Sequence, residues 1–173
     1  MIPNGAQDYG HGHVNLTSAF VGSCNVFFGE LGRKIGRTEF LNYLDTIGFD
    51  DDFSMQRIQV RPQRAEVPEN DEAILTWFSV GQPVGDIRQQ VNPLTLATFA
   101  GAIANEGTMM KPQIIGAFID PLGRESNTLT PTVHSRPFSP QVAATLHDLM
   151  FQTAQNNGVG VQGMNIGLKT GTG

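Results

Sequence analysis

Met164-Asn165-Ile166-Gly167-Leu168-Lys169-Thr170-Gly171-Thr172-Gly173 closes the chain. An apolar lead that ends in Lys-Thr-Gly reads as a buried strand whose far end presents a cation, a hydroxyl and bare backbone. Such an edge can hold a carboxylate. Glycine at 171 and 173 lets a ligand approach the main chain with no Cβ in the way, leaving the Thr172 N–H to donate a hydrogen bond. A cationic strand edge suits an extended, acid-ended peptide. On its own the stretch also reads as an ordinary strand with a polar end. The second polar triplet that weighs against this is Ser23-Cys24-Asn25, nearly the whole chain away.

Working outward, Val14, Leu16, Ala19 and Phe20 form a short helical face, with Asn15 or Thr17 as its cap and Gly22 as its stop. After the triplet, Phe27, Phe28, Leu31 and Ile35 resume helical spacing. Ser23 and Asn25 therefore sit on a corner between two apolar helices. Packing on both sides would fix a hydroxyl and an amide there, as a catalytic or substrate-holding group requires. The plainer alternative makes Ser23 a C-cap and Asn25 an N-cap. Cys24 reads as a small buried filler.

The remaining segments alternate helices with loops. Residues 1 to 13 are glycine-rich and aperiodic, a leading loop. Its His11 and His13 lack further ligands nearby, so no metal site is expected. Thr38 to Gly48 is expected to be a helix capped near Arg37 or Thr38. Asp50, Asp51 and Asp52 read as a solvated loop, and residues 56 to 70 as irregular or weakly extended. Ala73 to Val80 is apolar and turns at Gly81-Gln82-Pro83. Asn92-Pro93 opens a helix so apolar, through Ala104, that it is expected to run through the middle of a core. Gln113 to Ile119, turning at Asp120-Pro121-Leu122-Gly123, reads as one arm of a small hairpin, with a weaker second arm within Ser126 to Val133. A last helix opens at Ser139-Pro140, with His147 on its rim.

Composition sets the outer bounds. The 173 residues are one domain's worth, and 39% apolar with 16% charged residues fits a soluble globular protein. A net charge of −5 without a basic cluster argues against nucleic acid or an anionic membrane surface as partner. The single cysteine, Cys24, permits no intrachain disulfide. No apolar run approaches the roughly 20 residues of a membrane span.

Taken in order, the triplets and the segments between them resemble the transpeptidase domain of penicillin-binding proteins, most closely the monofunctional (class B) kind. That family carries Ser-x-x-Lys, Ser-x-Asn and Lys-Thr-Gly. Ser23-Cys24-Asn25 matches the second and Lys169-Thr170-Gly171 the third, with Thr172 following. Phe78-Ser79-Val80-Gly81-Gln82, Asn92-Pro93-Leu94-Thr95-Leu96-Ala97, Ala104-Asn105-Glu106-Gly107 and Lys111-Pro112 resemble the family's connecting segment.

None of the seven serines (18, 23, 54, 79, 126, 135 and 139) has a lysine three residues on. The resemblance therefore implies an internal fragment of an α+β transpeptidase fold, mostly helical over 14–173, with one core strand ending in Lys-Thr-Gly. The acylating serine would lie upstream, in a parent anchored in the membrane with this domain outside the cytoplasm. The resemblance makes Ser23, Asn25 and Lys169 catalytic and Thr170, Gly171 and Thr172 substrate-binding. It implies peptidoglycan stem peptides and β-lactams as ligands, with no cofactor. A serine β-lactamase would share the triplets and spend water through a loop glutamate. Glu66 and Asn70 offer a superficial match, but the run from Ser23 to Lys169 is long for a class A enzyme. A non-catalytic module that keeps the fold is the third possibility.

Overall fold

The computed structural model describes residues 10–55, 58–60, 67–69, 71–82, 91–126 and 129–171. Three short helices open it. α1 (Leu16–Val21) starts in a capping box: Asn15 Oδ1 accepts from the Ser18 N–H, and the Ser18 hydroxyl accepts from the Asn15 N–H. α2 (Asn25–Ile35) and α3 (Arg37–Thr46) are separated by Gly36 alone, which ends one helix and begins the other at φ 81°. Such a φ is strained for any residue with a Cβ. This corrects the cap expected near Arg37 or Thr38.

The apolar segment before Gly81 is a helix, α4 (Glu72–Ser79), capped by Asp71, whose carboxylate accepts from the Ile74 N–H. α4 packs on α2, where Gly32 lies against Ser79 so closely that a Cβ would run into that side chain. Below this contact Val67, Leu75 and Phe78 form a core with Phe40, Leu41, Leu44 and Ile74. Burying Phe78 alone is worth about 2 kcal/mol.

α5 (Pro93–Ala104) and α6 (Pro140–Asn156) both begin as Asn92-Pro93 and Ser139-Pro140 foretell, each cap side chain accepting from a backbone N–H of the first turn. α5 departs from expectation. Only its Thr95 and Ala102 are buried, and Leu96 is 56% exposed, because α6 and the adjoining strand cover one side of it. It lies on its core instead of threading it. That core joins Ala102 and Met109 to Phe53, with Val60, Leu94, Phe99 and Phe138 packed round it.

Six short strands pair antiparallel into three two-stranded sheets among the described residues. β1 (Phe53–Met55) is unforeseen, and β2 (Ile58–Val60), its partner, falls in the stretch expected to be irregular or weakly extended. β3 (Met109–Met110) pairs with β6 (Val133–Ser135). A hairpin forms at the foreseen turn, Asp120 to Gly123, as β4 (Phe118–Ile119) and β5 (Glu125–Ser126), but each strand spans two residues and the second arm starts directly after the turn, before most of the 126–133 stretch expected to supply it.

The terminal apolar run is the main correction. Residues 165–171 join no ladder, and Met164 makes only an isolated bridge to Val161. A strand is defined by its neighbours, and among the described residues none pairs with this one. Its backbone is held elsewhere: the Leu168 N–H donates to the Met150 carbonyl of α6 at 3.1 Å. α6 also packs on α1. One helix thus carries both the corner at residue 23 and the Lys-Thr-Gly segment. No helix among the described residues is long and apolar enough to cross a membrane.

Candidate active site

The corner is built by α1 ending early. Gly22 N–H donates to the Ser18 carbonyl at 2.9 Å, Ser23 N–H to Phe20 at 3.2 Å and Cys24 N–H to Ala19 at 2.8 Å, so the chain folds back on its own last turn. The reversal forces Ser23 to φ 52°, a left-handed conformation that costs a non-glycine residue about 1 kcal/mol. Strain of this kind persists where surrounding packing dictates it, and here Ala19 and Cys24 on either side are both buried. Cys24 is the filler the sequence suggests. It is also the N-cap of α2, without a side-chain capping bond, so Asn25 is the first helical residue and not the cap. Gly22, not Ser23, is the C-cap of α1.

Across from the corner lies Lys169, 146 residues away in sequence. Its ammonium donates to the Ser23 hydroxyl, to the Thr170 hydroxyl at 3.1 Å and to the Thr170 carbonyl at 3.1 Å. Ser23 Oγ and Thr170 Oγ1 are 3.0 Å apart, completing a triangle of two hydroxyls and one ammonium. A lysine has three N–H donors, and the three acceptors match them. Nζ also lies over the Phe20 ring, 5.7 Å from its centroid. Partial burial pushes the Lys169 pKa below that of an ordinary lysine, since desolvation disfavours the charged form.

Gly171 is exposed, and a Cβ there would meet nothing within 4 Å, so space lies open beside the backbone just past the cation. Thr172 and Gly173 lie outside the described residues, as do Glu66 and Asn70. His11 and His13, with Cys24, Phe27 and Glu30, line an open groove of about 510 Å³. Among the described residues no group of three or more His, Cys, Asp or Glu side chains is placed to hold a metal. Sequence reasoning missed Phe20. Its only trace there is a place one helical turn before Ser23, which read as packing.

The sequence matches the family model for the penicillin binding protein transpeptidase domain over residues 3–173. The chain belongs to that family. The peptidoglycan D,D-transpeptidase PbpA of Mycolicibacterium smegmatis is 36% identical over 162 residues, which cover 92% of this chain and 32% of that protein. The fold agrees with solved members. The D,D-transpeptidase domain of a peptidoglycan glycosyltransferase from Eggerthella lenta superposes with a TM-score of 0.82 over 95% of this chain and 43% of its own, at 24% identity. Penicillin-binding protein A from Mycobacterium tuberculosis, solved as an imipenem acyl-enzyme complex, gives a TM-score of 0.76 at 31% identity over 96% of this chain and 38% of its own. The chain thus spans about a third of the length of these curated relatives.

Proposed function

We propose that this chain is part of a serine peptidoglycan D,D-transpeptidase, in which residues 14–173 contribute the proton-relay and carboxylate-binding side of the site; of the leading stretch 1–13, residues 1–9 lie outside the described residues. The observation that carries the reading is the contact of Lys169 with the Ser23 and Thr170 hydroxyls across the length of the chain. The nucleophile is a serine of a Ser-x-x-Lys segment outside this sequence. Activated by its lysine, it attacks the carbonyl of the penultimate D-Ala of a stem peptide, forming an acyl-enzyme and releasing the terminal D-Ala. An amine from a second stem then displaces the enzyme and forms the cross-link.

Ser23 relays the proton from the nucleophile to the leaving amine, because a hydroxyl both accepts and donates. Lys169 keeps that hydroxyl supplied with a donor and places positive charge where the substrate's terminal carboxylate arrives. Thr170 offers that carboxylate a hydroxyl. Asn25 grips the backbone amide of the stem peptide or the side-chain amide of a β-lactam. Gly171 leaves the approach clear, and the Thr172 N–H joins the nucleophile's own N–H as the oxyanion hole, each donor worth a few kcal/mol of barrier. No cofactor is needed. β-Lactams acylate the same serine in place of the stem peptide, in keeping with the imipenem acyl-enzyme of the M. tuberculosis protein. The parent is held in the cell membrane with this domain on the extracytoplasmic side.

Fluorescent penicillin tests the assignment. A longer protein in which Ser-x-x-Lys precedes this sequence should be acylated, and Ser23→Ala or Lys169→Ala should slow that reaction about 10²- to 10⁴-fold. Covalent labelling of the 173-residue chain itself would place the nucleophile within its own sequence and sink the assignment.

A further inference from the structure

Phe20 and Ser23 come from the same turn. The Ser23 N–H donates to the Phe20 carbonyl, and the two side chains meet the same atom: Lys169 Nζ donates to the Ser23 hydroxyl and lies over the Phe20 ring, 5.7 Å from its centroid. The ring does not find this position freely. It packs edge-on against Phe28 of α2, with centroids 6.3 Å apart and planes at 77°, and Phe28 packs edge-on against Phe27 at 5.2 Å and 76°. Edge-to-face pairs of this kind are orientationally selective. The stack therefore fixes the ring that meets the ammonium.

Among the described residues no carboxylate competes for the role. α1 carries no charged residue. On α2, Glu30 is tied to Arg33, with Lys34 the remaining charge. On α6, His147 and Asp148 face each other at 3.6 Å. No ion pair to Lys169 occurs among the described residues.

We propose that Phe20 is a positioning residue for Lys169, its ring holding the ammonium against the Ser23 hydroxyl in place of a counter-ion. A ring gives what a carboxylate would not. It attracts the cation through its quadrupole while leaving the positive charge uncancelled for an incoming anion. The consequence for substrate rests on the transpeptidase reading, whereas the positioning itself concerns only this chain. Burial lowers the pKa of Lys169, and the ring works against that by favouring the charged form.

The test reads Lys169 directly by proton–carbon NMR, with Lys34 and Lys111 as the only other lysines and Lys169→Arg as the assignment control. In the unaltered chain the Lys169 ε-methylene protons should resonate upfield of the other two through the ring current of Phe20. Phe20→Leu should abolish that displacement and lower the Lys169 pKa by about half a unit, while Phe20→Tyr keeps both. An ε-methylene without upfield displacement in the unaltered chain overturns the proposal, as does a Lys169 pKa unchanged or raised in Phe20→Leu. If Phe20→Leu does not fold, the ring-current measurement decides alone. Neither readout involves acyl transfer, so a failed transpeptidase assignment leaves the result standing.

Discussion

The corner at residues 22–25 and the segment at 164–171 meet at one ammonium and are made in opposite ways. The corner is written locally. Three backbone bonds spanning three to five residues fold it, Ala19 and Cys24 are buried beneath it, and α2 follows at once. Among the described residues the Lys-Thr-Gly segment joins no ladder and has little burial of its own, and beyond the side-chain bonds at Ser23 it is held to the rest of the molecule by the Leu168–Met150 backbone bond and the close approach of Gly167 to Met150. A site assembled this way gets its strain from one side and its adjustability from the other. Substitutions that sort these two behaviours should differ in size and reach.

The largest effect is expected behind the corner, where α2 meets α4. A Cβ at Gly32 would run into Ser79, and both helices are tied into surrounding packing, so Gly32→Ala should cost about 2 kcal/mol. Urea unfolding measures it. Adding Ser79→Gly should recover part of the loss, since the clash is with that side chain alone. A Gly32→Ala chain as stable as the original would mean that α2 slides freely and the corner is not held from behind.

On the other side, Gly167 approaches Met150, and a Cβ there would sit 3.1 Å from the methionine's own Cβ. Gly167→Val should therefore lift the segment from α6 at a global cost of about 1 kcal/mol. Its local effect should be disproportionate. The Leu168 amide should exchange with solvent much faster, while the amide of Cys24 keeps its protection. Equal acceleration at both would show that corner and segment open as one unit.

Which parts were legible in the sequence follows the same division. Asn92-Pro93 and Ser139-Pro140 announce helix starts through bonds made within one turn and appear where they are written, and of the two caps open for the first helix, Asn15 and Thr17, the structure uses Asn15. Phe118 to Ser126 makes its hairpin because the turn at Asp120 is local. What failed was non-local. The 164–168 run has the composition of a strand, but composition does not supply a neighbour to pair with. The apolar length of α5 gives no sign of which face stays covered, and Leu96 is left exposed. The strands at 53–55 and 58–60 are short enough that pairing, not pattern, creates them. The meeting of Ser23 with Lys169 was expected from a family resemblance and not from any periodicity. Phe20 was invisible because a phenylalanine on an apolar helix face looks like packing until its neighbour turns out to be a cation.

A smaller effect separates the two functions of Ser23 itself, its backbone strain and its hydroxyl. Ser23→Ala removes the hydroxyl and keeps the strained φ of 52°, whereas Ser23→Gly removes both. Glycine should therefore be more stable than alanine at this position by roughly 0.5–1 kcal/mol, after the unfolded-state entropy of glycine is set against the relief. Paired thermal unfolding curves check this. Alanine equal to or above glycine would mean that the left-handed turn is not strained, and that the corner owes its shape to the Ser23–Lys169 bond.

The smallest effect is in pH dependence, and its sign decides whether the cation burdens the fold. Burial holds the folded pKa of Lys169 below that of an ordinary lysine, the value it regains on unfolding. Below both values the side chain is charged in either state, and the desolvation cost is carried in full. As pH rises through the folded pKa the folded chain releases its proton first, and up to the ordinary value the unfolded chain binds more protons than the folded one. Stability contributed by this group therefore increases with pH across that alkaline window. Lys169→Met removes the group, so the difference in urea midpoint between the original chain and the variant should move in the original chain's favour as pH is raised from neutral. A difference that stays flat, or moves the other way, would mean that three acceptors and an aromatic ring hold the ammonium more strongly than burial opposes it. The segment would then be anchored by its tip, and Lys169, instead of leaning on the corner, would be what keeps residues 164–171 in place.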